Sequence, residues 1–164
     1  MKGNVLLIFL FVAINTSVHS QKLSIPDLVK IRSLSGTAVD SLLEKKGFNG
    51  EMKQEETRIV GRYNNKAAQK DPATNRIVNL IYTPDGFAEM QYAFYTKEEA
   101  AELRKWLTTN KYKLIPPMPS SVTERGKVDT YVKAGKSIFL ETGSAPIDET
   151  GRVVYRVVIN RKDF

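Results

Sequence analysis

The chain predicts an α+β fold, in which two tandem α-β4 repeats form a roughly eight-stranded antiparallel sheet with helices on one face. Three observations predict it. Stretches of period-2 apolar alternation recur along the chain, apolar residues at helical spacing are confined to short capped segments, and one order of elements returns after about 65 residues. The unit spanning 82–114 shows the plan most compactly.

Residues 1–20 carry one positive residue, Lys2, then an apolar run through 5–14, then Val18-His19-Ser20 with small residues where a signal peptidase reads. This predicts a secretory signal cleaved before Gln21. The run is shorter than the about twenty apolar residues a spanning helix needs, so no membrane span is expected after cleavage. Residues 21–164 are then expected to form a single α+β domain, with halves of approximately 21–95 and 96–164. A chain of that length buries roughly 68 % of its unfolded surface and needs no covalent staples. There is no cysteine. That removes disulfides and the lipid attachment site of a bacterial lipoprotein, and it suits a periplasmic or secreted protein of bacterial type. The net charge of +7 falls by one when Lys2 leaves, and the basic residues are dispersed among glutamates, so the excess serves solubility or attracts an anionic partner.

Ser24-Ile25-Pro26-Asp27 predicts a helix start with Ser24 as cap and proline in the first turn, continued by Leu28, Ile31 and Leu34. Ser35-Gly36 interrupts it. A second helical segment places Val39, Leu42 and Leu43 on one face and stops at Gly47, after which Phe48 opens a strand. Asn49-Gly50 is expected to turn the chain into a strand over 57–63, in which Thr57, Ile59, Gly61 and Tyr63 alternate with Arg58, Val60 and Arg62. The polar stretch 64–75, with Asp71-Pro72, is expected to be a long hairpin loop without a phosphate-cradling glycine pattern.

Residues 77–82 and 87–95 are expected to pair through Thr83-Pro84-Asp85-Gly86, a turn with proline presetting its second position. In the second strand Ala88, Met90, Tyr92 and Phe94 share one side, with Glu89 and Gln91 on the other. Thr96-Lys97-Glu98-Glu99 predicts a helix begun by a capping box. Ala100, Leu103, Trp106 and Leu107 form its apolar stripe, Asn110 is expected to end it in the left-handed conformation, and Tyr112 and Leu114 lie in a return strand. Pro116-Pro117-Met118-Pro119 is expected to be a bent edge segment. Residues 127–133 alternate Val128, Thr130 and Val132 against Asp129, Tyr131 and Lys133, and Ala134-Gly135 turns into a strand over 137–142. A polar loop over 143–151 and a β-branched strand over 153–159, which includes Arg156, complete the plan.

Aligning Leu43 with Leu107 sets Phe48 opposite Tyr112, Glu56 opposite Glu124 and Gly86 opposite Gly151. One half would leave its sheet largely uncovered, whereas two joined edge to edge make a continuous sheet. On that order of elements the chain resembles the duplicated helix-plus-four-strand secreted proteins, beta-lactamase inhibitor protein-like and PepSY-like. The resemblance covers nearly all of 21–164 as topology, not as a signature motif. It departs where the inhibitor proteins commonly use disulfides. It implies that the sheet face without helices binds another protein.

With His19 removed in the signal and no cysteine, the remaining chain has neither residue type. That excludes Ser-His-Asp and Cys-His nucleophile pairs, thiol redox chemistry, and zinc or haem sites built on histidine or cysteine. No calcium-loop pattern of alternating acids around a glycine occurs. No cofactor is expected. The adjacent acids Glu55-Glu56, Glu98-Glu99 and Asp148-Glu149 leave a carboxylate-based glycosidase as the enzymatic alternative, although polar strand ends, helix capping and loop solvation account for each pair. The candidate surface is the helix-free sheet face, to which alternation assigns Arg58, Arg62, Glu89, Gln91, Tyr131, Lys133 and Arg156. Arg58, Arg62, Tyr131, Lys133 and Arg156 are the candidate partner-binding residues, since arginine beside tyrosine suits a protein or an anionic glycan. Nucleic acid is not an expected partner, because the sequence holds no basic cluster and no nucleic-acid module. The expected function is therefore a secreted or periplasmic non-catalytic binding module, with an inhibitor as one form of it; an envelope or matrix component that binds anionic polymer is a further alternative.

Overall fold

A computed structural model describes residues 22–65, 74–116, 127–134, 136–142 and 153–160. Within them the elements run α1 (Ile25–Arg32), α2 (Gly36–Lys45), β1 (Phe48–Glu55), β2 (Arg58–Asn65), β3 (Arg76–Thr83), β4 (Gly86–Phe94), α3 (Lys97–Thr109), β5 (Lys113–Ile115), β6 (Lys127–Lys133), β7 (Lys136–Thr142) and β8 (Tyr155–Asn160). The strands form one antiparallel sheet of eight, ordered β1-β2-β3-β4-β8-β7-β6-β5. Each run of four strands thus keeps its chain order, and the two runs meet at β4 and β8. The expected signal segment 1–20, residues 66–73 of the loop expected over 64–75, residues 117–119 and the loop expected over 143–151 lie outside the described residues, while Asn64 and Asn65 of the first expected loop belong to β2. No described helix is long and apolar enough to cross a membrane.

The helices start where side chains can satisfy their free amides. Ser24 accepts from the Asp27 amide while the Asp27 carboxylate accepts from the Ser24 amide, which closes a capping box on α1. Burial alone would raise the Asp27 pKa, but hydrogen bonds from Ser24 and Lys46 outweigh it and hold the carboxyl below its usual value. The α2 helix ends at Gly47, whose φ of 77° is the left-handed conformation glycine takes without strain.

All three helices lie on one side of the sheet. Leu23, Ile25, Leu28, Ile31, Val39, Leu43, Ala100, Leu103 and Leu107 pack there against Tyr63, Val78, Leu80, Met90, Tyr92, Phe94, Tyr131, Ile138, Val157 and Ile159. At the junction of the two runs, Met90 pairs with Ile159, Tyr92 with Val157 and Phe94 with Tyr155. The last two rings are stacked, with centroids 5.7 Å apart. These pairs carry one core cluster across the junction of the two runs.

Four expectations are corrected. Asn49-Gly50 does not turn the chain; it lies inside β1, and the turn falls at Glu56-Thr57. Glycine is needed at 50 for another reason, since a Cβ there would sit 2.1 Å from the Arg62 carbonyl oxygen. Thr96 caps α3 without a side-chain bond to a backbone amide; Glu99 turns inward, and the Thr96 hydroxyl donates to its carboxylate at 3.5 Å. Lys111, not Asn110, takes the left-handed conformation, with φ of 64°. The Tyr112 and Lys111 amides then donate to the Leu107 and Thr108 carbonyls, a Schellman closure, while the Asn110 side chain donates to the Trp106 carbonyl. Finally, β6 has the opposite phase from the one expected. Tyr131 pairs with Ile138 and is 4 % exposed in the core beneath the helices.

Candidate functional site

The face opposite the helices is built by the residues that alternate with the core positions. Following the register across β1, β2, β3, β4, β8, β7, β6 and β5, one row reads Glu51, Arg62, Asn79, Gln91, Val158, Phe139, Thr130 and Ile115. A neighbouring row reads Lys53, Val60, Ile81, Glu89 and Asn160. No described helix packs on these rows.

Over β2, β3 and β4 this face holds a depression of about 360 Å³. Val60 and Ile81 contribute its apolar part, and Arg58, Arg62, Asn79, Glu89 and Gln91 its polar part. Val60 is only 8 % exposed although it faces away from the helices, because the longer side chains around it stand above the sheet. A second hollow of about 200 Å³ adjoins it toward β1 and shares Val60 and Arg62. Farther along, over β8, β7 and β6, the same face turns apolar through Val158, Phe139, Val128 and Val132. Val158 is 7 % exposed.

Charges on this face are of both signs and already paired. Glu55 binds Arg58 at 3.1 Å and Arg62 at 3.7 Å, and Glu51 binds Lys53 at 2.8 Å. Gln91 donates to Glu89 at 2.5 Å. The arginine side chains remain 53 % and 73 % exposed, so their guanidinium groups hold donors toward solvent and a surface pair of this kind contributes little stability.

Of the candidate partner-binding residues, Arg58, Arg62 and Arg156 lie on this face, with Glu89 and Gln91 beside them. Tyr131 and Lys133 do not. They share the helix side with Asp129, which pairs with Arg104 of α3 at 3.4 Å. Lys133 there places its ammonium 5.6 Å from the Tyr112 ring centroid. The alternation in β6 was right and its phase was not, because a strand with mixed residues on both sides gives no sign of which side is buried.

Sequence reasoning also missed the polar centre of the core. Arg76 on β3 and Glu99 on α3 form a salt bridge at 2.6 Å with side chains 3 % and 2 % exposed. Tyr92 donates to Glu99 at 2.5 Å and accepts from the Leu23 amide. The remaining guanidinium nitrogen donates to the Thr74 carbonyl, and the Arg76 amide donates to Asn65. Burial alone would lower the Arg76 pKa, but Glu99 outweighs it and keeps the guanidinium charged. Burial, reinforced by Glu99, pushes the Tyr92 phenol well above its ordinary value, so it stays a neutral donor. On the same side Tyr63 donates to the Asp40 carboxylate, and burial together with that contact raises its pKa. These groups bond to one another, and Glu99 also borders a hollow of about 200 Å³ between the segment before α1 and α3. They tie the segment before α1 to β3, β4 and α3.

No group of three or more His, Asp, Glu or Cys side chains able to hold a metal lies among the described residues. No protein-family model, curated protein or solved structure matches this chain.

Proposed function

We propose that the protein is a secreted or periplasmic, non-catalytic module that binds another protein through its helix-free sheet face, with inhibition of that partner as one outcome of binding. One observation carries this reading. The face combines a depression floored by Val60 and Ile81, a rim of Arg58, Arg62, Glu89 and Gln91, and an apolar continuation through Val158 and Phe139. An apolar centre with a polar rim containing arginine is the make-up of a protein interface.

The same composition argues against a polyanion on this face. Glu51, Glu55 and Glu89 stand among the arginines, and each would repel a phosphate, sulfate or uronate chain. The carboxylate-hydrolase alternative gains no support here either, since Glu51 and Glu55 are held by Lys53, Arg58 and Arg62, and Glu99 is consumed in the core. Export is supported by the signal-like composition of 1–20 and the absence of cysteine. The likeness to beta-lactamase inhibitor protein-like and PepSY-like architecture points the same way.

The test is quantitative capture from the native envelope and culture medium with the wild-type chain and with Arg58→Glu/Arg62→Glu/Arg156→Glu. Loss of one defined protein from the captured set, with the circular dichroism spectrum unchanged, is the expected result. Capture of the same set by both chains would remove the face from consideration.

A further inference from the structure

The sheet has two outer strands of unlike kind. At one end β5 has three residues, and Pro116, which has no amide to donate, follows it directly. At the other end β1 has eight residues, contains no proline and pairs with β2 one for one, from Phe48 with Asn65 to Glu55 with Arg58, without a shift in register. Among the described residues no strand lies beyond it. A long, regular outer strand presents a row of free backbone donors and acceptors, which proteins either guard or use.

The hairpin geometry says which groups are free. Glu55 and Arg58 flank a two-residue turn and so exchange both backbone bonds, and bonds to β2 recur at every second residue, Lys53 and Glu51. The amides and carbonyls of Gly50, Met52 and Gln54 therefore point away from the sheet. Side chains follow the same alternation: Phe48 and Met52 face the core, while Glu51, Lys53 and Glu55 stand on the bare side. The side chains of Glu51 and Lys53 are each 68 % exposed and pair with one another at 2.8 Å.

Charges in the middle of an outer strand guard it against indiscriminate pairing. Their order in β1 also selects one way for the strand to pair with itself. Antiparallel self-pairing centred on Glu51 sets Glu51 against Glu51, and pairing centred on Lys53 sets lysine against lysine, both unfavourable. Centred on Gly50, it leaves Lys53 without an opposing acid. Centred on Gln54, it runs into the turn at Glu56-Thr57, and Glu55 is already held by Arg58 and Arg62. Centred on Met52, it sets Lys53 opposite the second copy's Glu51 and Glu51 opposite the second copy's Lys53. The free groups of Gly50, Met52 and Gln54 then meet those of Gln54, Met52 and Gly50. On the helix side α2 passes Met52 at Gly36, which has no side chain to stand over the seam.

We propose that the chain forms a two-fold dimer in which β1 adds to β1 of a second copy, antiparallel and centred on Met52, so that two eight-stranded sheets become one. The two-fold axis is perpendicular to the sheet, so both bare faces lie on the same side, and the hollow lined by Glu51 and Lys53 comes to lie at the seam. Such closure uses both long edges at once and leaves the short β5 edges outside. The contact belongs to the small class of interfaces, and its dissociation constant is expected in about the micromolar range. This assignment is independent of the protein-binding reading of the bare face, which the dimer leaves open.

Sedimentation equilibrium of the wild-type chain in about 0.1 M salt is expected to show monomer and dimer without larger species. Lys53→Glu sets acids opposite one another and Glu51→Lys sets lysines opposite one another, and each alone is expected to weaken self-association about tenfold or more. Mixed in equal amounts, the two variants regain two attractive pairs, and their heterodimer is expected within about threefold of the wild-type affinity. Both sites are exposed, so neither change touches the core. Thiols read the register separately, since the chain has no cysteine of its own. Mixed Glu51→Cys and Lys53→Cys chains are expected to join through a disulfide on mild oxidation, because these positions lie opposite one another and one Lys53–Glu51 pair survives, whereas neither variant alone should cross-link efficiently. A wild-type chain that stays monomeric at about 1 mM would overturn the assignment. So would larger assemblies, charge variants that self-associate as strongly as wild type, a mixture that gains nothing over its components, or equal cross-linking of either thiol variant alone.

Discussion

Glu99 is the residue on which most of the polar architecture converges. Its carboxylate receives Arg76 and the Tyr92 hydroxyl, and the side chains of the ion pair are almost fully buried. Removing one partner of such a pair strands the other charge, so Glu99→Ala is expected to lower unfolding free energy by about 3–5 kcal/mol in urea titrations. Tyr92→Phe leaves the ion pair intact and deletes one donor, and its cost should be about 1–2 kcal/mol in the same assay. The sequence pattern Thr-Lys-Glu-Glu is indistinguishable from a capping box, because the residue that diverts Glu99 lies on another strand. Asp27 is the opposite case, where the local pattern and the local structure agree. Its folded pKa lies below its unfolded value, so its contribution is present in full above the unfolded pKa and is lost as pH falls through the folded one. Stability profiles below about pH 4 should therefore be flatter for Asp27→Asn than for wild type. An unchanged acid limb would remove Asp27 from the acid response.

At the scale of elements, what was legible depended on whether one side of a strand is uniformly apolar. In β4, Met90, Tyr92 and Phe94 declare the buried side, and in β8 Tyr155, Val157 and Ile159 do the same and leave Arg156 on the other. In β6 both sides mix polar with apolar residues, and only pairing with β7 decides that Asp129 and Tyr131 face the helices. That phase predicts a clear asymmetry. Tyr131→Ala should cost about 3 kcal/mol or more, as for an emptied aromatic core site, whereas Thr130→Ala one position away should cost about 1 kcal/mol or less. Equal losses would mean that the phase is wrong. The strand expected to open at Phe48 runs on through Gly50 to Glu55, where a turn at Asn49-Gly50 is expected, because glycine marks a turn and a close backbone approach with the same letter and Gly50 serves the second purpose. The outer edge of β1 was not legible at all, since only the strand order of the fold leaves β1 with a neighbour on one side.

Over the whole molecule the expected plan of helices on one side of an eight-stranded antiparallel sheet is present, and the meeting of β4 with β8 is what makes it one sheet. Duplication of the two runs of strands remains a reading of element order and pattern; β1 has eight residues where β5 has three. Two surfaces of different character result. The bare face is amphipathic and of mixed charge, the outer edge of β1 presents free backbone groups, and the two are expected to respond to separate substitutions. The functional account stands on the bare face being open to a partner in the full chain. Because the chain has no cysteine, single thiols test this cleanly. Asn79→Cys places one at the centre of that face and Leu80→Cys places one beneath the helices. In the folded protein the first should react with a maleimide within about tenfold of its rate in urea, and the second should be protected by orders of magnitude. Protection of the Asn79→Cys thiol to the same degree as the Leu80→Cys thiol would contradict the account.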